Sequence, residues 1–203
     1  MKILKNFKED PFLTSFLNDI ALTSNLIDRH QLLKLIKSIK KIKSNNGRIF
    51  FLGVGGSGGN CSHAVNDFRK LCSIECYTPT DNVSELTARI NDDGWNSSFV
   101  NWLKISKLNK NDAIFIFSVG GGDLKKKISV NLIESIKLAK KIKAAVFGIV
   151  GRKNCYTKKN GNNVIVIPNI NRKNITPYCE SFQAVLWHAI VSHPLLKSNK
   201  TKW

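Results

Sequence analysis

The feature that most constrains this chain is an apolar run that ends in a glycine loop and restarts as a helix. Residues 48–53 read Arg-Ile-Phe-Phe-Leu-Gly and lead straight into Gly53-Val54-Gly55-Gly56-Ser57-Gly58-Gly59-Asn60, ahead of a helical stretch from Cys61 to about Leu71. A short β-forming run with no polar alternation belongs to a strand covered on both faces, as in parallel sheets. The pattern recurs. Residues 112–118 (DAIFIFS) run into Val-Gly-Gly-Gly-Asp at 119–123, and a helix is predicted from Val130 to about Lys143. Further strands are predicted at 144–151 and 163–168, with a weaker one at 73–78 (SIECYT). Helices are predicted from Pro11 to Leu26, Asp28 to Ser44, Ser84 to Ile90, Ser97 to Ile105 and Pro177 to His193, with a turn at Asn91–Gly94. Strands alternating with helices imply a parallel sheet between two helical layers, and ligands of such sheets bind at the carboxyl ends of the strands.

At 203 residues the chain suits one domain, with residues 1–45 as a helical lead-in to the remainder, 46–203. Its net charge of +18 invites a nucleic-acid reading. The lysines are scattered, however, and the densest run, KLIKSIKKIKS, sets Leu32, Leu33, Ile36, Ile39 and Ile42 at helical spacing opposite Lys34, Lys37 and Lys41. That is an amphipathic helix with a solvated basic side, and the charge suits an anionic metabolite better than nucleic acid. Five unpaired cysteines, no secretory leader in MKILKNFKEDPF and no run of about 20 apolar residues point to a reduced, cytoplasmic protein outside the membrane.

Three constellations carry chemistry. Glycines in the first loop let backbone N–H groups approach an oxyanion at a helix N-terminus. A dinucleotide fingerprint is present in form (GxGxxG), but the next strand lacks the acidic residue that would hold a ribose. In the second loop Ser118, Gly120 and Gly121 precede Ser129, which stands at the N-cap position of the next helix and completes a phosphate cradle. Finally, His63 and Asp67 are four residues apart on one helix, and Glu180 and His188 lie eight apart on another. Two imidazoles and two carboxylates form a donor set for Zn²⁺ or another divalent ion. The alternative is a surface His–Asp pair and a core histidine beside Trp187, with His30 and His193 structural.

These parts, in this order, resemble the sugar isomerase (SIS) domain family, and within it the phosphoheptose isomerases. The resemblance runs from about Arg48 to His188 and carries Gly55-Gly56-Ser57 followed by His63 and an acidic residue at 67, Asn91-Asp92, Ser118, Ser129-Val130-Asn131, and the helix with Glu180 and His188. Val54 stands where the family usually has Asn, Asp67 where it has Glu, and Glu180 where it has Gln; the phosphate loop is longer and richer in glycine.

The resemblance implies a three-layer αβα fold with a five-stranded parallel sheet, a homo-oligomer (dimer or tetramer) with pockets between subunits, and aldose–ketose isomerisation of sedoheptulose 7-phosphate or a related sugar phosphate. It implies acid–base roles for Asp67 and His188, and a metal on His63, Asp67, Glu180 and His188. It assigns phosphate binding to Ser118, Gly120, Gly121 and Ser129, and sugar binding to Gly55, Gly56, Ser57, Asn91, Asp92 and Glu180. A non-catalytic sugar-phosphate sensor is the alternative.

Overall fold

The structure is a computed structural model that describes residues 10–201; the leader reading of the first residues lies largely outside them. Helix α1 (Pro11–Leu26) begins at Asp10, whose carboxylate accepts from the Leu13 amide at 2.9 Å, with Pro11 in the first turn. Helix α2 (Arg29–Ser44) is capped in the same way by Asp28. The sheet is five-stranded and wholly parallel, in the order β2-β1-β3-β4-β5. Its strands are β1 (Ile49–Gly53), β2 (Cys76–Tyr77), β3 (Ala113–Ser118), β4 (Ala145–Val150) and β5 (Asn163–Val166). The remaining helices are α3 (Gly56–Cys72), α4 (Val83–Asp93), α5 (Trp95–Ile105), α6 (Val130–Lys141), the short α7 (Tyr156–Asn160) and α8 (Ile175–Ser192), which continues a 3₁₀ turn.

The apolar strands serve two cores at once because alternate residues point to opposite faces. Phe51, Phe115 and Phe117 meet Leu35, Ile39, Phe68 and Trp187 on the side of α2, α3 and α8. Phe50, Leu52, Ile114 and Ile116 meet Phe99, Leu103, Leu132 and Ile136 on the side of α5 and α6. A buried Phe such as Phe115 contributes about 2–3 kcal/mol by leaving water. From β1 the chain goes outward to β2, then returns to β3 on the opposite side of β1. The carboxyl ends of β1 and β3 are therefore the switch point of the sheet, and both glycine loops leave from it.

Four expectations change. Helix α4 runs through Asn91, Asp92 and Asp93, so the turn expected there is confined to Gly94, with φ +80°. On α2 the buried stripe holds Leu35 with Ile36, Ile39 and Ile42, while Leu33 is exposed: steps of three and four lead from Leu32 to Leu35, not to Leu33. The weak 73–78 strand shrinks to two paired residues, and α7 appears where no helix was expected. Helix α1 buries only Thr23 and leaves Phe12, Leu13, Leu17, Leu22 and Leu26 exposed. No helix among the described residues is long and apolar enough to cross a membrane.

Candidate functional site

Helix α3 starts on the first glycine loop and α8 lies across it. Gly55, with φ +61°, turns the chain from β1 into α3. Gln183, fully buried on α8, donates to Ser57 Oγ at 3.0 Å. Asn60 donates to Gln183 Oε1 at 2.8 Å and to the Glu180 carbonyl at 2.9 Å. These bonds fix the two helices side by side, so that His63 and Asp67, two and three turns into α3, face His188.

His63, Asp67 and His188 present one ligand atom each within 4.8 Å of one another. Asp67 Oδ2 lies 3.3 Å from His188 Nε2 and 3.6 Å from His63 Nε2. It accepts from the Trp187 indole N–H at 3.1 Å, and Asn66 donates to Oδ1. Trp187 is buried, stacks on Phe117 and touches both imidazoles, with ring centroids 5.2 Å from His63 and 4.9 Å from His188.

His188 Nδ1 is 2.8 Å from the Ala184 carbonyl, which can only accept, so the proton sits on Nδ1. In the neutral ring Nε2 then turns a lone pair on a carboxylate oxygen. Two facing acceptors call for a positive charge, either a second proton on the ring or a metal ion. The spacings fit a metal: arms of about 2.0–2.1 Å set tetrahedral ligand atoms about 3.3–3.4 Å apart. Two imidazoles and one carboxylate also leave a coordination position open, as in catalytic zinc sites.

Glu180 does not join this cluster. Its carboxylate is not among the three ligand atoms that gather within 4.8 Å of one another. Its carboxylate instead lies against the first loop, 2.5–2.8 Å from where a Cβ on Gly56 would stand.

The second loop is built from within. Ser118 Oγ accepts from the Gly121 amide at 3.0 Å, so this amide and hydroxyl oxygen satisfy each other instead of lying open as a cradle. Gly121 and Gly122 have φ of +66° and +82°. Residues 123–128 fold back as a hairpin, with Asp123 and Ile128 exchanging backbone hydrogen bonds at 3.0 Å. Ser129 stands at the N-cap position of α6 as expected, but with φ of +52° its side chain makes no capping bond, and Asn131 Oδ1 accepts from the Leu132 amide at 2.9 Å instead. Asn91 and Asp92 are exposed at the end of α4, where Asn91 donates to Asp92 at 2.8 Å.

Sequence reasoning gave no role at the site to Asn60, Gln183 or Trp187. The available signal was their register: Gln183 and Trp187 lie four residues apart on the stripe of α8 that faces α3.

Against solved structures, the chain superposes on the phosphoheptose isomerase GmhA of Neisseria gonorrhoeae with a TM-score of 0.77 at 18% identity, covering 89% of this chain and 96% of that one. It has the sugar isomerase fold. The SIS framework extends to the sugar isomerase domain of the RpiR transcription factor from Sphaerobacter thermophilus, at 13% identity, TM-score 0.55 and 90% coverage of both chains. In sequence, the lincomycin biosynthesis protein LmbN of Streptomyces lincolnensis is 28% identical over 158 residues, which are 72% of this chain. The aligned part spans 56% of LmbN. No protein-family model matches the chain.

Proposed function

We propose that the protein is a phosphosugar isomerase, interconverting the ketose sedoheptulose 7-phosphate, or a related sugar phosphate, and the aldose D-glycero-D-manno-heptose 7-phosphate. The observation that carries this reading is the pair of facing acceptors, Asp67 Oδ2 and His188 Nε2 at 3.3 Å, beside the glycine loop of a SIS fold. A sensor needs contacts to its ligand but has no use for a cation held by an open three-member donor set.

His63, Asp67 and His188 would hold Zn²⁺ or another divalent ion, which supplies polarisation of the C1 and C2 oxygens when bound. The chain does the rest. Gly55, Gly56 and Ser57 would line the sugar, and the start of α6 with Ser129 and Gly120 would receive the phosphate, where the helix dipole favours an anion. The Ser118 and Gly121 pair would shape that loop. Asn91 and Asp92, at the end of α4, would reach the sugar from a neighbouring helix. The exposed apolar side of α1 supports the expected homo-oligomer.

Two measurements on the purified protein test the reading. Elemental analysis should find close to one divalent ion per chain, lost in the His63→Ala/His188→Ala variant. Sedoheptulose 7-phosphate should be converted in wild type and unchanged by that variant. Tight sugar-phosphate binding without metal or turnover would favour the sensor, a role consistent with the SIS fold of a transcription factor.

A further inference from the structure

The proton to be moved needs a base, and the members of the histidine cluster are poorly placed to supply it. Asp67 has one oxygen occupied by Trp187 and facing two imidazoles and the other occupied by Asn66, and His188 Nε2 points at that carboxylate. Nearby Asp81 accepts a hydrogen bond from Ser62 at 2.6 Å. The Glu180 carboxylate alone is uncommitted: among the described residues it makes no hydrogen bond and no ion pair. It is half-buried, it borders Gly56, and its backbone is fixed by the Asn60 bond to its carbonyl. A charged side chain held at the sugar loop and left without a partner has its lone pairs free for a ligand.

Building on the isomerase reading, we propose that Glu180 is the general base. Its carboxylate takes the proton from the carbon beside the carbonyl. The C–H electron pair becomes the C=C bond of an enediol, the carbonyl π pair moves onto oxygen, and that oxygen takes a proton from a solvent water. The Glu180 carboxylic acid then returns the proton to the adjacent carbon while the neighbouring hydroxyl gives its own back to the hydroxide left in the first step, so that protons and electrons balance. The two departures from the family pattern then form one change. Asp67 is shortened into the cluster, and position 180 carries a carboxylate where an amide could accept no proton.

The experiment uses Glu180→Gln, which keeps shape and hydrogen-bonding capacity but removes the base. With sedoheptulose 7-phosphate in D₂O, kcat and deuterium incorporation next to the carbonyl should fall by about 10³-fold, within the usual range for a general base. KM and metal content should stay within about threefold of wild type. Formate should restore part of the activity of Glu180→Ala, a response that a merely structural residue does not give. Activity of Glu180→Gln within about tenfold of wild type, or loss of its metal, overturns the assignment and leaves the isomerase standing. Wild-type protein that neither converts nor exchanges the sugar overturns the isomerase reading itself, and the base with it.

Discussion

The two glycine loops leave adjacent strands of one sheet and are shaped by opposite means. The first is placed from a distance: its contacts are Gln183, Asn60 and Glu180, which bring residues more than 100 positions apart together across α3 and α8. The second is held through its own backbone: Ser118 holds Gly121, Asp123 holds Ile128, and the start of α7 clamps the Gly121 and Gly122 carbonyls, with Thr157 Oγ donating to Gly121 at 2.8 Å. A loop set by tertiary docking can be disturbed without unfolding the chain, because the docking partner is a side chain that can move. A loop set by its own backbone has no such slack.

Gly121→Ala should show the largest effect. A Cβ there runs into the Cys155 side chain, and φ of +66° is strained for any residue but glycine. A loss of about 3 kcal/mol is expected from strain and overpacking together, read as a lower urea midpoint. Gly56→Ala should do the reverse. Its Cβ meets only the end of Glu180, so stability should hold while activity falls about 10²-fold as the carboxylate is pushed aside. If Gly56→Ala unfolds the protein, or Gly121→Ala leaves the midpoint unchanged, the contrast between the loops is broken.

The smallest effect per residue concerns the buried cysteines. Burial pushes Cys72 up to about 11 and Cys179 up to about 12, and holds Cys61 and Cys155 above the usual thiol value as well. A raised folded value favours the protonated fold. The stabilisation is complete below the unfolded thiol value of 9.0 and is lost as pH rises from there toward 11–12. Stability should therefore fall as pH rises above 9, by roughly 1 kcal/mol per pH unit for Cys72 and for Cys179. Urea titrations at pH 8, 9 and 10 check this, and Cys72→Ala should flatten the curve.

The sequence announced most of the fold because its signals are local. Caps at Asp10 and Asp28 mark α1 and α2, and double-sided apolar runs mark β1, β3 and β4. The pairing of His63 with Asp67 was equally legible, being one helical turn. What lay hidden depends on which faces meet. Glu180 and His188 share a helix, yet only the docking of α8 on α3 decides that His188 enters the cluster and Glu180 faces the glycine loop. The left-handed turn at Ser129 escaped for another reason: a serine at an N-cap ordinarily takes an extended conformation, and the hairpin before it overrides that preference.

Trp187 gives the molecule an optical readout of its own. The indole hydrogen-bonds Asp67 and lies against both imidazoles, so any change of charge at the cluster alters the surroundings of its excited state. Trp95 and Trp102 pack instead against Phe99 and Phe50 on the opposite face of the sheet. Among the described residues, emission that responds to Co²⁺ therefore belongs to Trp187, and Trp187→Phe should remove that response.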